Sequence, residues 1–210
     1  MEKPTLLRQL WRQRLHIAPE AAQPHDGATW GSVWEPGERL LEHLERLPAG
    51  LLALWLQSEF GHILIGAEPS RYVAEAHVWR GSAYQSSCLL SSGDIACGAP
   101  PMWAALLVWC DHLLGSLGAP DGGCLSAGAG ATPRLQKAAR RLQQAIALGY
   151  AADLLGNVDP QGYLVGVWQL YLTSPERLGT SDPLSYRLLQ HNLMDEDWWA
   201  LVWSEATSGA

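Results

Sequence analysis

The sequence predicts an α+β fold, with a small antiparallel sheet over about residues 51–90 packed against a predominantly helical second half. Three observations predict it. Apolar residues recur at helical spacing near the N-terminus, alternate in short runs between residues 51 and 90, and return to helical spacing from Pro100 onward. The composition is that of a core-forming chain. Of 210 residues, 48% are hydrophobic and 17% charged, a balance that excludes disorder of the whole chain.

Residues 4–17 read as an amphipathic helix, with Leu7, Leu10, Trp11 and Leu15 on one stripe and Arg8, Arg12 and Arg14 off it. A loop over 18–37 is punctuated by Pro24, Gly27, Gly31, Pro36 and Gly37 and carries Trp30 and Trp34. A short helix over 37–47 is ended by Pro48 and Gly50. The runs 51–57, 62–66 and 72–80 have hairpin spacing and read as an antiparallel meander, with 83–90 as a fourth strand. In the third run, alternation sends Tyr72, Ala74, Ala76 and Val78 to the core and Arg71, Val73, Glu75, His77 and Trp79 to the other face.

Pro100–Pro101 open an apolar helix over 101–117, and a flexible Gly-rich loop follows over 118–132. Thr132 and Pro133 are an N-cap and first-turn pair for a helix running to about Leu155. Residues 160–173 read as a further helix, and Asp182–Pro183 start a last one to about Glu205. No sharp linker divides the chain, so it is taken as a single domain, 1–210.

No apolar run reaches the roughly 18 residues that a membrane span needs. The first residues lack the layout of a secretory signal, and the four cysteines are too few for a disulfide framework in a chain this long. These features predict reduced thiols and a cytoplasmic location. Basic residues are nearly all arginine, as in a GC-rich bacterial genome. The net charge of −7 argues against a dedicated nucleic-acid binder.

Catalytic signatures are scarce. Cys88, Cys97, Cys110 and Cys124 contain no C-x2-4-C pair, so no metal site is expected, and no cofactor motif is present. A nucleophile elbow is absent. The weak catalytic candidates are His62, Glu75 and His77, expected to share a face of adjacent strands, where a carboxylate beside imidazoles could work as acid and base.

Two other patterns point to binding. Arg134, Lys137, Arg140 and Arg141 lie in a helix with no acid between residues 131 and 152, and Arg134, Lys137 and Arg141 form one stripe. Arg8 and Arg12 repeat the pattern near the N-terminus, while Asp195, Glu196 and Asp197 sit in the last helix. Eleven tryptophans also exceed what a core this size is expected to absorb, which nominates Trp30, Trp34, Trp198 and Trp203 as partner-binding anchors. The leading expectation is therefore a non-catalytic adaptor subunit of a bacterial cytoplasmic complex, with other protein subunits as partners. A subunit of a nucleoprotein assembly, touching RNA or DNA through the arginine-rich helices, is the alternative. A small enzyme using the His/Glu cluster is the third reading.

Overall fold

The computed structural model describes residues 2–22 and 30–208; residues 23–29 of the loop expected over 18–37, with Pro24 and Gly27, lie outside the described residues. The fold is α+β. A four-stranded sheet, β1 (Leu15–Ile17), β2 (Ile63–Gly66), β6 (Ser87–Ser91) and β3 (Arg71–Val73) in spatial order, is joined by a separate hairpin, β4 (His77–Trp79) and β5 (Ser82–Tyr84). Helices form the rest, among them two short ones, α4 (Ser92–Cys97) and α7 (Ala152–Leu155).

The sheet is mixed where an antiparallel meander was expected. β1 runs parallel to β2 and β2 parallel to β6, and only β3 is antiparallel. Between β1 and β2 the cause is the stretch 51–57, which is helical; β2 and β6 are joined through β3 and the hairpin. α3 (Ala49–Gln57) begins behind Pro48 and is built of Leu, Ala and Trp with no β-branched residue. Its Leu51, Leu52, Leu54 and Trp55 are buried, and it packs between α1 (Lys3–Arg14) and α11 (Glu196–Ser208). With α2 (Glu35–Leu44), it forms the crossover that parallel strands require.

The run 72–80 is also not one strand. It breaks after Val73 and resumes as β4 in the hairpin, so alternation across the break fails and Val78 points to solvent at 74% exposure. Tyr72 does face inward, its hydroxyl 2.6 Å from His112 Nδ1.

One face of the sheet, with Ile63, Ile65, Cys88 and Leu90, packs on α5 (Pro100–Ser116) and the core. Trp109 of α5 fills the junction so tightly that a Cβ on Gly61 or Gly118 would stand 2.2 or 2.3 Å from its ring; both glycines also take positive φ. Beyond α5, α6 (Pro133–Leu148) and α8 (Pro160–Thr173) complete the layer. Thr132 caps α6 as expected, its hydroxyl accepting from Leu135 N at 3.2 Å.

The loop 118–132 is fastened to α5. The buried Asp111 carboxylate accepts from Ser126 N (2.7 Å), Ser126 Oγ (2.6 Å) and Gln161 Nε2 (3.3 Å), and Ala131 N donates to Leu114 O at 2.9 Å. The last expected helix is divided: α10 (Pro183–Leu188) leads into a π-turn over Leu189–Leu193, and α11 follows, while α9 (Pro175–Ser181) precedes it.

Candidate functional site

Strand register decides the fate of the histidine candidates. His16 on β1 and His62 just before β2 both point away from the core-facing Leu15, Ile17, Ile63 and Ile65. Their rings meet there, His16 Nε2 lying 3.0 Å from His62 Nδ1. The hairpin covers them: the Tyr84 ring is 5.1 Å from each, and Trp79 meets His16 and Tyr84 edge-on. Burial, reinforced by the Arg14 guanidinium, pulls both imidazoles below the ordinary histidine range, His62 to about 4. Both are therefore neutral at pH 7, and one donates to the other.

This cluster is not the one the sequence suggested. Glu75 is exposed in the bend between β3 and β4, and only its backbone carbonyl faces His77 Nδ1, at 3.5 Å. No hydrogen bond or ion pair joins the Glu75 carboxylate to His62 or His77 among the described residues. His77 turns instead to Ser87 Oγ, at 3.5 Å. The expected face required an unbroken strand over 72–80, which the structure does not have. His16, which joins the pair, was hidden at the end of an apparent helix. Among the described residues, no three His, Cys, Asp or Glu side chains gather in a way that could hold a metal ion.

The basic stripe lies beside a groove. α6 buries Leu135, Ala138, Ala139, Leu142 and Ala145, which leaves Arg134, Lys137 and Arg141 on its outer side, beside α10 and the π-turn. Two adjoining cavities run along this seam. One, of about 470 Å³, is lined by Arg141, Gln144, Leu184, Arg187, Leu188, His191 and Asn192. The second, of about 220 Å³, is lined by Arg134, Lys137, Ala138, Trp198 and again Arg141 and Asn192. Neither lining contains a carboxylate. Arg141 Nη1 donates to Asn192 Oδ1 at 3.3 Å, which fixes the guanidinium across the seam. At one end Arg134 is paired with Glu205 at 2.8 Å. Lys137 and Arg187 have no ion-pair partner among the described residues.

Sequence spacing found the α6 wall of this groove and missed the other. Arg187 and His191, four apart, carried a readable signal; Asn192 did not, because the π-turn that aims it inward leaves no mark in apolar periodicity. Arg140 lies on α6 outside both linings. Arg8 and Arg12 are exposed on α1, which packs on α2 and α3 and does not line the groove.

The tryptophans distribute differently from expectation. Six of the eleven are buried, including Trp198 at 7% exposure. Trp198 and Trp199 are both covered because α11 lies in a trough: Trp199 presses on Gly50 of α3, and Trp198 closes the end of the groove against α6. Trp34 is exposed at 57% and meets Trp11 at a tilt, the ring centroids 6.3 Å apart. Trp30 is half-buried. Trp203 is half-buried and lines a different groove, with Leu6, Gln9 and Gln13 of α1. Trp11 stands about 200° around α1 from Gln9 and Gln13, so Trp34 and Trp203 occupy opposite flanks of that helix and do not form one patch.

No protein-family description matches the chain, no curated protein matches it, and no solved structure matches its fold.

Proposed function

We propose that this chain is a non-catalytic interaction subunit that holds an acidic segment of a protein partner in the groove between α6 and α10. One observation carries the reading: a chain of net charge −7 keeps a continuous seam in which Lys137, Arg141 and Arg187 meet no carboxylate, and only Arg134, at its end, is paired, with Glu205. Like-charged side chains gathered at one seam repel one another, and an acidic partner relieves that repulsion while steering the encounter. Leu184 and Leu188 add apolar surface beside the charges, as a folded or extended peptide uses and a bare phosphate backbone does not.

The nucleoprotein reading draws less support. Single strands are held by aromatic platforms beside basic residues, and the one indole in the groove, Trp198, is almost wholly covered. Trp34, at 57% exposure, directly precedes α2 and lines neither cavity of the seam.

The test is to recover the protein from its native host by size-exclusion chromatography beside an Arg141→Glu/Arg187→Glu variant. The expected result is a larger species for the native chain, dissociated by salt, which the variant fails to form. Elution of both as the same bare monomer at low salt would overturn the reading.

A further inference from the structure

We propose that the middle of this groove, Arg141, Arg187, His191 and Asn192, is a seat for a phosphoryl group carried by the protein partner. The proposal rests on the reading of the groove as a docking site for an anionic segment. Its starting point is Asn192. This polar side chain is nine-tenths buried at 9% exposure, yet only its Oδ1 is used, accepting from Arg141 Nη1. Its amide nitrogen donates to nothing among the described residues, and it is not among the polar atoms sealed from solvent, so it opens on the groove. A donor held at the mouth of a cavity in this way has only water to bond until an acceptor on a ligand replaces it.

The donors around it come from two walls. Arg141 reaches from α6, and Arg187 and His191 from α10 and the π-turn. Arg141 is already oriented by Asn192, so little of its side-chain freedom remains to be lost on binding. A carboxylate offers two oxygens in one plane and a single charge. A phosphate monoester offers three terminal oxygens in a tetrahedral array and close to two charges at neutral pH. The second therefore brings more acceptor oxygens and more charge to donors that arrive from both walls and from the Asn192 amide. The surrounding cavity of about 470 Å³ accommodates the group together with a flanking side chain on Leu184 and Leu188.

The experiment is calorimetric titration of the full chain with three six-residue peptides identical except at one position, which carries phosphoserine, glutamate or serine flanked by leucines. Inorganic phosphate serves as competitor, and a thymidine oligonucleotide as a further titrant. The phosphoserine peptide should bind at least tenfold more tightly than the glutamate peptide and be displaced by inorganic phosphate. Asn192→Asp, which puts a carboxylate in the seat with hardly any change of shape, should abolish that preference, as should Arg187→Gln on the exposed wall; unchanged melting temperatures will show that both variants are folded. Equal affinity for the phosphoserine and glutamate peptides would overturn the phosphoryl seat and leave the acidic groove standing. Failure of both to bind would overturn the two together. Tighter binding of the oligonucleotide than of any peptide would overturn the protein partner.

Discussion

The Asp111 carboxylate is the fastening between α5 and the loop 118–132, and its removal has a cost that can be worked out from its partners. Asp111 is fully buried, and Ser126, at 2% exposure, directs both its amide N–H and its hydroxyl at it. Asp111→Ala leaves those two buried donors without their acceptor. Each stranded donor costs about 1–3 kcal/mol. Part of that is offset, because burial holds the Asp111 carboxyl above its ordinary value and the charged form is itself disfavoured. A net loss of about 3 kcal/mol is expected, which for a chain of this size lowers the melting temperature by about 6–12 °C. The sign of the pH dependence follows. A carboxyl raised in the folded state contributes stability that is full below its unfolded value near 3.8 and is lost as pH rises through the folded value, so the variant's deficit should be larger at pH 4 than at pH 8. Thermal melts of Asp111→Ala, Ser126→Ala and the double variant at the two pH values measure this. Single-variant losses that simply add, or a fall of less than about 2 °C in Asp111→Ala, would refute the fastening.

Two further outcomes are expected. The His16–His62 pair contributes stability that is full above about pH 6.5 and is lost as pH falls toward 4, since both imidazoles are held low by burial and by Arg14; urea midpoints of the native chain should drop across that window and those of His62→Gln should drop less, and parallel curves would remove the pair as the cause. Trp199→Ala should cost about 3–5 kcal/mol, because its ring is packed against Gly50 with 1% exposure, whereas Trp34→Ala should cost less than about 1 kcal/mol; comparable losses in urea unfolding would show that Trp34 is part of the core.

Much of the helical frame was legible because its signals are local. Thr132–Pro133 and Asp182–Pro183 begin helices where capping chemistry says they should, and Thr132 and Asp182 both accept from the first turn. The sheet was less legible, because its signals are not local. Residues 49–56 carry an unbroken run of Ala, Gly, Leu and Trp, and with no polar residue in it the periodicity that separates a helix from a strand is erased. Reading that run as a strand implies an antiparallel hairpin; as a helix, it becomes part of a crossover that lets β1 and β2 run parallel. β1 spans three residues directly behind α1, too short to interrupt the helical pattern. That one oversight also hid His16 and so misassigned the partner of His62. The groove divides the same way. Arg134, Lys137 and Arg141 follow from spacing on one helix, whereas Arg187 and Asn192 meet them only through the packing of α6 on α10.

β1 also changes what the first residues of the chain are for. Leu15, His16 and Ile17 lie beside Ile63, Leu64 and Ile65, so the outermost lane of the sheet is laid down by a segment nearly fifty positions upstream of its neighbour. A shortened form beginning after Ile17 would leave the backbone of β2 as a raw margin, able to recruit a foreign strand. Trimming at this end is thus an operation on the interior of the molecule, and fusion tags there are best separated from α1 by a spacer.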